Sequence, residues 1–151
     1  MGRCRAVIIA YGNALRRDDA AGLHVAAALV ARAFAGVEVV QVQTLVPELA
    51  ERLAAAELAI FLDAFVGERV EVASPVAGGD GAAPSMTHVT SPAALVELAA
   101  ALYGNKARAF VVTVPAFDLD VGEGLSAATA ACIDEAVAAV ERLLNAGVGV
   151  R

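Results

Sequence analysis

Short apolar runs and amphipathic segments alternate along the whole chain. Ala6-Val7-Ile8-Ile9 is a continuous apolar run, so residues 4–10 read as a strand buried on both faces. Residues 19–35 carry Leu23, Ala26, Ala27, Val30 and Phe34 at helical spacing, with Gly36 placed to end the helix. Val37 to Gln43 is β-branched and alternating, which predicts a second strand. Pro47 suits the first turn of a helix reaching about Ala56, because the N–H it lacks is unpaired there in any case. Leu58-Ala59-Ile60-Phe61-Leu62 is a second continuous apolar run, and it ends in Asp63. Glu68 to Ser74 alternates again after only a few residues, too few for a parallel crossover, so this strand should run antiparallel. A loop over residues 75–90 leads to a helix from Pro92 to Tyr103, with Ser91 as its cap and Gly104 at its end. Arg108 to Val114 is the last strand, stopped by Pro115. After a loop over 116–124, a final helix over Ser126–Asn145 presents Ile133, Val137, Val140 and Leu144 on one stripe, and Gly147 closes it.

Strands alternating with helices predict an α/β fold, a three-layer α/β/α sandwich. Its sheet should have about five strands, mainly parallel, with one antiparallel strand. The length of 151 residues suits a single domain spanning 1–151. Right-handed crossovers put every loop that leaves a parallel strand on one edge of the sheet, and ligands bind there, where strand order reverses. A strand order beginning 2-1-3 makes the strands that end near residue 11 and at Asp63 neighbours.

Composition narrows the setting. Hydrophobic residues make up 59% of the chain, yet no run approaches the ~18 apolar residues of a membrane span. The first residues lack a charged segment followed by an apolar stretch and a cleavage site, so a cytoplasmic protein is expected. A net charge of −6 with no basic cluster beyond Arg16-Arg17 argues against nucleic acid as a partner. Cys4 and Cys132 form neither a disulfide framework nor a zinc spacing, and both are expected as small buried apolar side chains.

The chemistry gathers at the end of the first strand. Gly12-Asn13 supplies residues that tolerate a sharp turn, and Asp18-Asp19 follow where a helix starts. Gly22 inside the first helical turns costs about 1 kcal/mol against alanine, which points to close approach by a backbone or a ligand. A dinucleotide fingerprint is excluded, because Ala10 and Leu15 stand where glycines are needed and two acids would repel phosphate. No phosphate-binding G-K-[S/T] element follows either. Asp63 ends a central strand at the same edge, and the loop carrying His88 can fold over it. Two carboxylates and an imidazole suit a borderline cation such as zinc or nickel, with positions left for water or substrate. His24 lies five residues after Asp19 and so on a different helix face, which leaves His88 as the candidate imidazole.

The pattern G-N-x-L-x-x-D-D-x-x-G from Gly12 to Gly22 resembles the N-terminal signature of the hydrogenase maturation proteases. It departs at Ala10, where that family usually carries glycine. The segments Leu45-Val46-Pro47-Glu48-Leu49, Thr87-His88-Val89-Thr90-Ser91-Pro92 and Gly122-Glu123-Gly124-Leu125-Ser126 are similar to others of that family, so the resemblance spans nearly the whole chain. It implies an endopeptidase that removes the C-terminal extension of a nickel–iron hydrogenase large-subunit precursor after nickel insertion. It further implies that Asp19, the second acid of the pair, acts with Asp63 and His88 on the nickel supplied by the substrate, these three being both the catalytic and the metal-binding residues. Asp18 is then expected mainly as the helix cap. Another divalent cation in the free protein stays open, as does whether the metal or a carboxylate activates the attacking water. The alternatives from other classes are a non-catalytic metal- or partner-binding α/β module and a flavodoxin-like cofactor domain. The latter is weakened by the absence of tryptophan, by only two tyrosines and by the acidic first loop.

Overall fold

The computed structural model describes residues 4–75, 90–104 and 107–149. Strands β1 (Cys4–Tyr11), β2 (Val37–Val42), β3 (Ala56–Val66), β4 (Glu71–Ala73) and β5 (Arg108–Ala116) form one sheet in the order β2-β1-β3-β5-β4. All pairs are parallel except β4 with β5. The helices are α1 (Ala21–Arg32), α2 (Ala50–Ala54), α3 (Pro92–Tyr103), α4 (Ala127–Ala130) and α5 (Ile133–Gly149). Short 3-10 turns at Arg17–Ala20 and Pro47–Leu49 lead into α1 and α2. This is the expected α/β/α sandwich, with its single antiparallel strand at an edge.

The two continuous apolar runs become β1 and β3, the central strands, and side-chain alternation explains why neither could be half polar. Ile8 and Ala10 of β1 and Ile60 and Leu62 of β3 pack with α1 and α5 on one face. Val7 and Ile9 with Ala59 and Phe61 pack with α2 and α3 on the other. Both faces of these strands are core, so every position from Ala6 to Ala10 and from Leu58 to Leu62 is apolar.

Local signals set most element ends. The Ser91 hydroxyl caps α3 by accepting the Ala94 N–H at 3.2 Å, and Gly104 ends the helix with φ of +70°. Several expectations need correction. α1 ends at Arg32 with Ala33 as its left-handed cap rather than at Gly36, α5 runs past Gly147 to Gly149, and β3 runs past Asp63 to Val66. β5 does not stop at Pro115 but continues to Ala116. β4 covers only Val111–Thr113 of β5, so the missing proline N–H leaves no ladder bond unmade on that side. The last helix is two, because Ala131–Cys132 form a turn between α4 and α5, and Cys132 is half-buried there rather than in mid-helix. The first helix is rotated from the expected stripe: Gly22, Val25, Ala26 and Leu29 face the sheet, while Ala27 and Val30 are exposed.

Gly22 causes that rotation. A Cβ at this position would lie 2.7 Å from the Leu62 carbonyl oxygen and 3.4 Å from the Asp63 nitrogen. The expected close approach is therefore made by backbone, and the row containing Gly22 is the one that can lie against β3. No helix among the described residues is long and apolar enough to cross a membrane.

Gly22→Ala should lower stability by about 1–3 kcal/mol through overpacking, against the ~1 kcal/mol that alanine ordinarily gains over glycine in a helix. Urea unfolding reads the sign of the change. A midpoint at or above wild type would mean that α1 lifts from β3 without cost.

Candidate functional site

β1, β3 and β5 end on one edge of the sheet, and the turns leaving them carry the candidate residues. At Gly12 the backbone takes φ of +154°, and a Cβ there would lie 2.1 Å from the Asp19 carbonyl oxygen. Only glycine lets the segment bearing the two acids settle onto the end of β1. Asn13 stabilises the same turn twice: its side-chain oxygen accepts the Leu15 N–H at 2.9 Å, and its own N–H donates to Asp19 Oδ2 at 2.7 Å.

Asp18 and Asp19 have separate surroundings. Asp18 is fully buried, and four donors converge on its carboxylate. Oδ2 accepts the Phe117 N–H at 2.9 Å, the Asp118 N–H at 2.8 Å and the Ser126 hydroxyl at 2.8 Å, while Oδ1 accepts the Ser126 N–H at 2.7 Å. Burial pushes this carboxyl up, but hydrogen bonds from Ser126 and Phe117 outweigh it and hold the group well below the usual carboxylate range. The expected helix-cap role is therefore corrected, since no side chain caps either the 3-10 turn or α1. Asp18 instead fastens the loop after β5 to the loop after β1. Backbone bonds Arg17 N–H to Gly122 O, Gly122 N–H to Leu15 O and Asp18 N–H to Asp118 O run alongside, with an Arg17–Asp118 ion pair at 3.1 Å. Ser126 completes the join, as its hydroxyl accepts the Thr129 N–H while donating to Asp18.

Asp19 is half-buried and turned toward Asn13. Asp63 is also half-buried and pairs in register with Thr113 of β5. Ala10 is paired with Leu62, so Tyr11 and Asp63 are the next residues along their neighbouring strands. Burial pushes the Tyr11 phenol up, and the charge of the neighbouring Asp63 pushes it further. Asp19 and Asp63 thus reach the same edge, linked through contacts of Gly12 and Gly22. His24 is exposed on α1, as expected. His88, the third candidate, lies outside the described residues. Among the described residues no three His, Cys, Asp or Glu side chains form a group that could hold a metal ion.

No protein-family model matches the chain, and no curated protein sequence matches it significantly. Solved structures do. The hydrogenase maturating endopeptidase HybD from Escherichia coli is 25% identical, with 93% of this chain and 92% of that one aligned at a TM-score of 0.72. The [NiFe] hydrogenase maturation protease HybD from Thermococcus kodakarensis is also 25% identical, over 93% and 99% of the two chains, with a TM-score of 0.69. The protease HycI from Thermococcus kodakarensis, at 21% identity, shares the fold over 95% and 92% at a TM-score of 0.72. The chain shares its fold with these hydrogenase maturation proteases over nearly its whole length.

Sequence reasoning missed Tyr11 and the clasp around Asp18. The signal for Tyr11 was positional: a phenol ending one central strand, beside an acid within the next. Asp18 had no local signal, because its partners lie 99 to 108 residues away.

Asp18→Asn should lower stability at pH 7 by about 2–4 kcal/mol, since either amide orientation turns an NH2 toward an N–H donor. The wild-type advantage should shrink under acid. The folded pKa is depressed, so its contribution is complete above the unfolded value of about 4 and is lost as pH falls toward the folded one. Thermal unfolding of both proteins across this range checks the convergence; parallel curves would contradict it.

Proposed function

We propose that this protein is the endopeptidase that removes the C-terminal extension of a nickel–iron hydrogenase large-subunit precursor once nickel has been inserted. The observation that carries this reading is the placement of two acids: Asp19 and Asp63 stand at the carboxyl edge of the same fold that the named maturation endopeptidases have. Exposed apolar side chains lie on the same edge, with Leu15 after β1, Phe65 and Val66 at the end of β3, and Phe117 and Val121 after β5. Such a rim suits a protein substrate.

In this proposal Asp19, Asp63 and His88 engage the nickel that arrives inside the precursor. Three side chains hold a free cation loosely, so the ion is substrate and its insertion licenses the cut. A water polarised by that cation or by one of the carboxylates attacks the scissile carbonyl. Its proton passes through a carboxylate to the departing amine. The Asn13 N–H keeps Asp19 in place meanwhile, as its donor. The setting is the cytoplasm, with neither membrane nor nucleic acid as a partner.

Incubation with nickel-loaded and nickel-free large-subunit precursor, followed by mass spectrometry, tests the reading. Loss of a C-terminal peptide from the nickel-loaded form alone is expected. Asp19→Asn, Asp63→Asn and His88→Ala should each reduce cleavage by at least about 100-fold with folding retained, and His24→Ala should cleave near wild type. An intact precursor would favour a non-catalytic binding module, and equal cleavage of both forms would remove nickel from the mechanism.

A further inference from the structure

We propose that the part of β3 beyond the end of β1, residues 64–66, binds the precursor's C-terminal cleavage segment as an added β-strand. This rests on the proposed peptidase function and adds how the substrate backbone is held.

The sheet has a step at its working edge. β1 and β3 are in register only as far as the Ala10–Leu62 pair, and β1 ends at Tyr11. β2 gives no cover farther on, since its last residue, Val42, is level with Tyr11. β3 continues to Val66, paired on its other side with β5 as far as Ala116.

Ladder alternation decides which groups the step presents. In a parallel sheet successive residues turn their N–H and C=O to opposite neighbours. The Gly12 N–H donates to Val42 O at 3.3 Å, so Gly12 and Ala10 face β2, while Ile9 and Tyr11 face β3. Leu62, level with Ala10, therefore bonds toward β1, and Ala64 and Val66 turn the same way. Asp63 and Phe65 bond toward β5, with Val114 between them in register. Pro115 then faces away from β3, the one place in this ladder where a missing N–H costs nothing. Among the described residues no hydrogen bond reaches Ala64 or Val66 from the β1 side. Val66 is 68% exposed and Phe65 65%, so the step is open to solvent.

A backbone edge recognises one chemistry, polypeptide in extended form, held through its main chain. The length of the edge selects among polypeptides. Two bonding residues are too few to join two folded sheets edge to edge, yet they suffice to align one loose strand. The C-terminal extension of a precursor is such a strand. Its path is also the productive one, because Ala64 directly follows Asp63 and the added backbone runs beside that acid. Alternate side chains of the peptide lie with Phe65 on the face of Asp63, and the others lie with Val66. The two exposed apolar residues thus serve both sets, while main-chain bonds set the register.

Val66→Pro removes the donor that faces the step and leaves the β5 ladder intact. Val66→Ala shortens the side chain but keeps that donor, so the pair isolates the main-chain bond. With nickel-loaded precursor, kcat/KM of Val66→Pro should lie at least about tenfold below that of Val66→Ala, chiefly through KM. Equal values, with Val66→Pro folded by circular dichroism, overturn the proposal. Hydrogen exchange of the wild type supplies a readout that depends on no variant folding. Under saturating precursor the Ala64 and Val66 amides should exchange at least about tenfold more slowly, while the Phe65 amide, already in the ladder, stays as it was. Unchanged Ala64 and Val66 amides despite cleavage refute the added strand. Slowing that follows this protein's own concentration, without precursor, assigns the edge to a second copy and refutes it too. If wild type leaves the precursor intact, the peptidase reading fails on its own account. Exchange then decides the edge, and unmoved Ala64 and Val66 amides refute it.

Discussion

A single buried carboxylate holds the working edge of this molecule together. Asp18 has no solvent exposure and receives four donors, three of them backbone N–H groups from a loop on the far side of the sheet centre. A charge buried without such partners would be very costly, and one fully enclosed by donors keeps its charge. The loops after β1 and β5 are consequently one structure, joined across the end of β3, which lies between those strands. Everything proposed for the edge assumes this join.

Adjacent acids therefore do opposite things. Asp18 points into the join and is saturated by donors, which gives it firmness and removes it from chemistry. Asp19, one residue on, is half-buried with its carboxylate beside Asn13. Two missing side chains make the division possible. Gly12 admits the Asp19 backbone onto the end of β1, and Gly22 admits the first turn of α1 onto the end of β3. Each contact is closer than any Cβ allows, so the acids are located by backbone rather than by adjustable side chains.

The layer order, the antiparallel strand and the two caps of α3 were legible in the sequence, because they follow from local periodicity and from the single residues Ser91 and Gly104. The close approach at Gly22 was legible too, as a glycine standing where a helix has no use for one. The rotation of α1 was not. Ala26, Ala27 and Val30 are nearly equivalent in apolar character, and contact between Gly22 and β3 decides which of them faces inward. Asp18 was misread for a related reason. An acid at the start of a helix has an ordinary local explanation, and only the folded chain brings Phe117 and Ser126 to it. Tyr11 stayed unnoticed because its meaning depends on strand register, which periodicity does not encode. Asp63 was recognised as an acid ending an apolar run, and the phenol beside it belongs to the same logic.

The sequence distance spanned by the clasp also has a consequence in time. A ribosome releases Asp18 early, together with β1, and β2 and β3 follow with their parallel pairing. The first donor to the carboxylate comes 99 residues later and the last 108 later. Contacts of such separation form late, after the entropy of closing a long loop has been met. During synthesis the acid pair therefore stays hydrated and loosely placed until β5 has docked beside β3 and the next turn has emerged. The nascent N-terminal half contains both candidate carboxylates and still lacks a fixed edge, so a chain truncated before Ser126 would carry the signature residues without the means to hold them still.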